Sequence, residues 1–196
     1  MIDQLLAAGT PFALLRREGG DRVEILTGPV ATVDRLADIP LGAAAGPHAL
    51  ALVPYRQVRE RGFAAHDDGA PLCVLRVAGY DTAPVAALTA ALPDAAAPLY
   101  DAAFDLSDAA YAATVRAVLR DEIGRGEGAN FVIHRTYRAR VGGDPLPAAL
   151  AVFGRLLRAE RGAYWTFCVH TGDATFVGAT RVSRREYDGE VDQEQP

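Results

Sequence analysis

The residues able to do chemistry form a short inventory. There are four histidines, His48, His66, His134 and His170, and two cysteines, Cys73 and Cys168. No two histidines fall at i, i+4, and none shares a ligand spacing with a cysteine, so neither a helical zinc pair nor a zinc knuckle is present. His66-Asp67-Asp68 is the tightest local cluster of metal-capable groups, but a solvated turn ahead of a strand accounts for it more simply. Both cysteines sit inside apolar runs, as buried structural thiols do, rather than beside a base that would activate them. The Gly-x-Ser-x-Gly elbow of a serine hydrolase is absent. All 20 basic residues are arginine. Without lysine there is no Schiff-base nucleophile, no lysine phosphate clamp and no P-loop.

The glycine-rich stretch Gly124-Arg125-Gly126-Glu127-Gly128 deserves a test as a phosphate loop. In a dinucleotide fingerprint the order is strand, glycines, helix, so that the positive end of the helix dipole meets the pyrophosphate. Here the glycines follow a helical pattern and lead into a strand-like one. A helix C-cap with a turn fits that order.

The elements that must position these residues can be read from periodicity. Residues 12–15 and 23–27 flank Arg16-Arg17-Glu18-Gly19-Gly20-Asp21, a polar two-glycine turn, and predict a hairpin. Residues 49–55 and 72–77 predict short strands, with a charged surface turn over 56–62 between them. Residues 79–104 are rich in Ala and Pro and read as a connection holding at most one short helix, near 85–92. Ser107 can cap a helix carrying Asp108 in its first turn, with Tyr111, Val115, Val118, Leu119 and Ile123 on one face. Residues 130–137 alternate and predict a strand. A second helix is expected over 147–159, with Leu150, Phe153, Leu156 and Leu157 facing inward. Residues 163–170 and 174–177 predict strands around the turn Thr171-Gly172-Asp173. The fold class expected is α+β, a mostly antiparallel sheet with a few packed helices. Residues 181–196 hold eight charged residues and no periodicity, so a disordered polar tail is expected after a lobe spanning 1–180.

Composition bounds the function classes. The chain has 196 residues, half of them hydrophobic, and a net charge of −5 from 20 basic and 25 acidic groups. That length suits one globular domain or one lobe of something larger, burying roughly 70% of the unfolded surface. The charge balance argues against nucleic acid as a partner. The N-terminus lacks a basic n-region with an apolar core behind it, and no apolar stretch reaches a bilayer span, so a reduced cytoplasmic protein without membrane contact is expected.

Three separated segments carry a family resemblance. The helix ending in Glu122-Ile123-Gly124-Arg125-Gly126-Glu127-Gly128-Ala129-Asn130-Phe131-Val132-Ile133 resembles the first shared motif of the chorismate-utilising enzymes, a group including anthranilate synthase component I, aminodeoxychorismate synthase and salicylate synthase. Its Gly-Glu-Gly-Ala-Asn wording is most similar to the phenazine-pathway aminodeoxyisochorismate synthases. The segment Leu52-Val53-Pro54-Tyr55-Arg56-Gln57-Val58-Arg59-Glu60-Arg61-Gly62-Phe63 resembles the same subgroup. Finally, residues 163–167, the turn at 171–173 and Phe176-Val177-Gly178-Ala179-Thr180 resemble the hairpin leading to the family's Gly-Ala-Ser-Pro-Glu signature. The resemblance covers roughly residues 10–180.

It implies the N-terminal half of that fold, in aromatic or secondary-metabolite biosynthesis, with Asn130, Gly178, Ala179 and Thr180 as substrate-binding residues. It also exposes departures. In the family, Gly-Ala-Ser/Thr is followed by Pro-Glu, and that glutamate does acid/base work on the ring; here Thr180 is followed by Arg181-Val182-Ser183. Asn130 falls where related enzymes place Gln, or a Lys that helps activate water, and an amide cannot act as a general base at neutral pH. The family's magnesium-binding glutamates, its active-site histidine and its Pro-Ile-x-Gly-Thr motif belong to a second half.

The expectation is therefore a truncated homologue with no catalytic or metal-ligating residue assigned, no cofactor in this chain although magnesium serves the full-length family, and no synthase activity alone. Self-association, or pairing with a second-half or glutamine amidotransferase chain, would cover the apolar face left by a missing half. The alternative is a small-molecule binding or sensing module retaining a pocket within the lobe, since this region holds an amino-acid feedback site in some relatives.

Overall fold

Phe12-Ala13-Leu14-Leu15 sets the centre of the fold. A strand sends alternate side chains to opposite faces, so four consecutive apolar residues demand cover on both. The computed structural model, which describes residues 10–42, 46–94, 97–160 and 162–180, supplies that cover. The tail expected to be disordered, 181–196, lies outside the described residues.

Strand β1 (Phe12–Arg17) lies in the middle of a five-stranded antiparallel sheet. On one side it pairs with β2 (Arg22–Thr27), the hairpin the sequence predicts, and β2 pairs in turn with β6 (Gly79–Pro84). On the other side β1 pairs with β9 (Trp165–His170), which pairs with the edge strand β10 (Thr175–Thr180). A separate three-stranded sheet is formed by β3 (Val30–Val33), β5 (Leu72–Arg76) and β4 (Ala49–Leu52), in that order. Ala13, Leu15, Leu26 and Val169 on one face of the large sheet bury against Leu75, with Val30, Leu50 and Leu52 packed around them. The opposite face carries Phe12, Leu14, Val23, Ile25 and Cys168, all buried. Helix α1 (Val85–Ala91) and helix α3 (Pro145–Ala159) complete this interior with Leu88, Leu150, Phe153 and Leu157. Each such side chain contributes about 1.5–3 kcal/mol relative to exposure.

The described residues fall into two compact units, one formed by the chain up to Asp94 together with the chain from Ala149 onward, the other by Ala95–Ala148. All the elements above except the start of α3 belong to the first. The second holds a two-stranded ladder of β7 (Leu99–Phe104) and β8 (Tyr137–Val141), interrupted by a bulge between Tyr100 and Ala103. Asp101 takes a positive φ of 52° at that bulge and its carboxylate accepts from Arg140 Nε at 2.7 Å. Helix α2 (Asp108–Ala117) follows, capped as expected by the Ser107 hydroxyl, which accepts from the Ala110 amide at 3.2 Å. It runs on through a π turn at Val118–Glu122 and a 3-10 turn at Ile123–Arg125, and stops at Gly126 in the left-handed conformation. The glycines over 124–128 therefore close a helix.

Several expectations are corrected. Residues 79–104 are more than a connection with one helix: they also contain β6 and β7. The strand expected over 130–137 begins only at Tyr137, because β7 gives pairing partners to Tyr137 and beyond but none to the residues before it. The apolar stripe of α2 is not a core face: Tyr111, Val115 and Val118 are half-buried, and Leu119 and Ile123 are exposed. The charged turn after residue 55 is a 3-10 helix, Tyr55–Arg61, whose Gln57 is buried and donates to the Asp34 carbonyl at 3.0 Å.

Candidate functional site

Gly178, Ala179 and Thr180 are consecutive on β10, opposite Phe167, Thr166 and Trp165 of β9. Glycine at 178 has a local reason. A Cβ built there would stand 2.7 Å from Cζ of Phe167, so the ring occupies the space a side chain would need. The Thr180 hydroxyl is already engaged, accepting from the Trp165 amide at 3.2 Å, while the Thr180 carbonyl accepts from the Tyr164 amide at 2.7 Å. Trp165 stacks on Tyr164 with ring planes 6° apart, and the Arg17 guanidinium lies 5.6 Å from the Trp165 ring. Arg17 also pairs with Glu24 at 2.5 Å, and that carboxylate raises the arginine's pKa, first by hydrogen bonding and then by charge. The Gly-Ala-Thr segment is thus held in place by its neighbours on β9.

Asn130 belongs to the other unit. It is exposed, and its amide side chain bonds to no described residue. The four residues expected to contact substrate are therefore divided three to one between the units.

The remaining candidates behave as the sequence suggested, with one difference. Cys168 is buried and desolvation pushes its thiol up to about 12, leaving it protonated and unreactive at neutral pH. Cys73 is only half-buried. Asp67 of the His66-Asp67-Asp68 cluster accepts from the Gly69 amide at 3.0 Å and pairs with Arg59 at 3.2 Å; the backbone bond, ahead of the arginine charges, holds its carboxyl below the usual range. This is a braced turn. His170 is buried with its Nδ1 2.9 Å from the Thr175 hydroxyl and its ring against Phe12, the arrangement of a packed core histidine. Among the described residues no three His, Cys, Asp or Glu side chains converge as metal ligands. Magnesium takes a cage of carboxylates and waters, and the described residues do not compose one.

Sequence reading missed a groove. An open cavity of about 700 Å³ in the first unit is bordered by Arg16, Asp21, Val85, Thr89, Leu157 and Arg158. A smaller one of about 180 Å³ shares Arg16 and is bordered by Arg17, Glu160 and Thr166. Arg16 follows the apolar run of β1 on the same face as Phe12 and Leu14. Its Nε donates to the Gly20 carbonyl at 3.0 Å, and among the described residues it forms no ion pair. The only signal in the sequence was a charged residue directly after four consecutive apolar ones, in line with Phe12 and Leu14 on one face of the strand.

No family model matches the sequence. Curated relatives do. The chain is 45% identical over 183 residues to "Anthranilate synthase, phenazine specific" of Pseudomonas chlororaphis, a match covering 90% of this chain and 29% of that protein. It is 45% identical over 177 residues to the protein of the same description in Pseudomonas fluorescens, covering 87% of this chain and 28% of that one. The resemblance read from the three motifs is borne out by these relatives. The chain spans less than a third of their length. No helix among the described residues is long and apolar enough to cross a membrane.

Proposed function

We propose that this chain is the scaffold lobe of a chorismate-utilising enzyme of the phenazine-specific anthranilate synthase kind, and that it works with the remainder of such an enzyme rather than alone. One observation carries the reading: 45% identity runs along 90% of the chain while matching only 29% of the relative. The chemistry supports it. Displacing the ring hydroxyl of chorismate requires a protonated or metal-assisted leaving group. In these 196 residues Thr180 is followed by Arg181 where an acid/base glutamate would be reached through Pro-Glu. Asn130 can orient a nucleophile but cannot take its proton at neutral pH. Magnesium, when bound in the complete enzyme, would supply the metal assistance. Gly178, Ala179 and Thr180 in the first unit, and Asn130 in the second, are the residues of this chain that the reading assigns to substrate.

The test is a turnover assay with chorismate, magnesium and ammonium. The chain alone forms neither anthranilate nor aminodeoxyisochorismate. Co-expressed with the portion of the Pseudomonas chlororaphis relative outside the match, it gives product, and Asn130→Ala lowers the rate. Product from the chain alone, above a no-protein control, overturns the proposal, since members of a cooperating catalytic set cannot be lost without orders of magnitude in rate.

The groove beside Arg16 favours a second reading, a small-molecule binding module. Its volume falls within the roughly 300–1,000 Å³ usual for ligand pockets, and the Arg16 guanidinium has donors left for a carboxylate. Benzoate, an aromatic carboxylate, should then raise the melting temperature of the chain and fail to raise that of Arg16→Ala; equal shifts for both proteins remove this reading.

A further inference from the structure

We infer that Thr180 is a positioning residue rather than a substrate contact: its hydroxyl is bonded into the main chain of β9 at Trp165 and so fixes the Gly178-Ala179 backbone beside it. The inference rests on the reading of this chain as a lobe of a chorismate-utilising enzyme, and it narrows the part of β10 that meets substrate.

A threonine hydroxyl has one proton to donate and two lone pairs with which to accept. Thr180 is exposed, so its hydroxyl is free to turn to water or to a ligand. It turns back onto the sheet instead. It accepts from the Trp165 amide at 3.2 Å and donates to the Trp165 carbonyl at 3.5 Å. The Thr180 carbonyl takes the neighbouring amide, that of Tyr164, at 2.7 Å. One residue at the end of β10 therefore serves two successive amides across from it. The hydroxyl proton that a substrate carboxylate would need is directed at a main-chain oxygen.

The rings of those two residues show how this is achieved. Successive side chains of a strand point to opposite faces. Tyr164 and Trp165 instead lie with ring planes 6° apart and centroids separated by 6.0 Å, so the backbone bends at the start of β9. That bend lets both amides reach Thr180. Trp165 is held from its other side as well, by pairing with Arg17 of β1 and by that guanidinium 5.6 Å from its ring. Thr180 is thus tied to a residue that is itself tied to the central strand of the sheet.

What this anchor holds is the rest of the edge. Gly178 and Ala179 carry no polar side chain, so main-chain N–H and C=O groups are all they can offer a polar ligand. The place of those groups is set by register, Gly178 against Phe167 and Ala179 against Thr166. Strand β10 is the last of its sheet, paired on one side only among the described residues, and the ends of such a strand are where fraying begins. The Phe167 ring lies against Gly178, and the Thr180 hydroxyl secures the terminal residue. A displacement of about 1 Å in a group that places substrate can cost on the order of a hundredfold in rate.

The experiment has two arms. One assays the full chain, co-expressed with the portion of the Pseudomonas chlororaphis relative outside the match, with chorismate, magnesium and ammonium; the other follows amide exchange in the chain alone. Thr180→Val removes the hydroxyl at nearly constant shape, and Thr180→Ser restores it. In the complex, Thr180→Val should lower kcat about tenfold, the cost of one strong hydrogen bond, with KM for chorismate within about twofold of wild type. Thr180→Ser should recover the rate. In the chain alone, the Tyr164 and Trp165 amides should exchange at least tenfold faster in Thr180→Val and at the wild-type rate in Thr180→Ser. Position 180 is exposed, so both variants fold, which circular dichroism checks. A KM raised tenfold or more, whether or not kcat falls, makes Thr180 a substrate contact and overturns the inference. Unchanged kinetics in Thr180→Val, or unchanged exchange at Tyr164 and Trp165, overturns it too. Each of these outcomes spares the lobe reading. A wild-type complex without turnover overturns that reading, and the positioning role falls with it.

Discussion

The two units solve the same physical problem to different degrees. In the first, β1 is covered on both faces, and Phe12, Leu14, Leu72, Leu88, Leu150 and Phe153 are essentially inaccessible to water. In the second, no described residue is buried, and Leu99, Tyr100, Phe104, Leu119, Val132 and Tyr137 all stand exposed. What orders the second unit is local: a capped helix, a bulged two-strand ladder, and Arg135 drawn between Phe104, Tyr111 and Asp108. An isolated two-stranded ladder is marginal in water. The difference teaches that one region carries its own core while the other is ordered by local contacts and leaves its large apolar side chains exposed.

The largest effect expected from this contrast is in the stability of core truncations. Phe153→Ala should destabilise the chain by about 3–5 kcal/mol through lost transfer energy and a cavity. Val132→Ala should change stability by no more than about 0.5 kcal/mol. Urea unfolding of both variants checks the pair, and comparable losses would erase the distinction between the units.

A smaller effect is expected at the Gly-Ala-Thr edge. Gly178→Ala must displace the Phe167 ring, which packs against the buried cluster around Leu15 and Leu75. A loss of about 1–3 kcal/mol is expected. If the melting temperature is unchanged, the glycine is there for a ligand rather than for the ring.

The smallest effect is pH-dependent and local to the second unit. The Thr136 amide bonds to Asp105 and, as the largest cause, holds that carboxyl below its ordinary value. A depressed folded-state pKa stabilises the fold above the unfolded value and is lost as pH falls through the lower, folded one. Acidification below about pH 4 should therefore loosen the link between β7 and the 130–136 segment, seen as faster exchange at the Thr136 amide beyond its intrinsic pH dependence. Asp105→Asn should lack that acid transition.

Much of the first unit was legible in the sequence because its elements bury one or both faces. The hairpin of residues 12–27, the helix ending at Ala159 and the strands around Thr171-Gly172-Asp173 all follow from apolar periodicity interrupted by turn residues. Strands β3, β6 and β7 were not legible. Only Ala83 of β6 is buried, and every residue of β7 is exposed, so their pairing is a matter of backbone hydrogen bonds that leave little trace in side-chain pattern. At 130–136 the pattern was that of a strand, and the missing element was a neighbour to pair with. Gly178, Ala179 and Thr180 were recognisable by motif, whereas the groove beside Arg16 depends on three elements distant in sequence converging on one arginine.

Native-state hydrogen exchange on the chain alone tests the central contrast most directly. Amides of β1 and β9 should exchange only through global unfolding, with protection tracking the urea-derived stability, while those of β7, β8 and α2 exchange through much smaller local openings. Protection of the second unit equal to that of β1 would contradict the account, because it would mean that Ala95–Ala148 is already covered as firmly as the core of its neighbour.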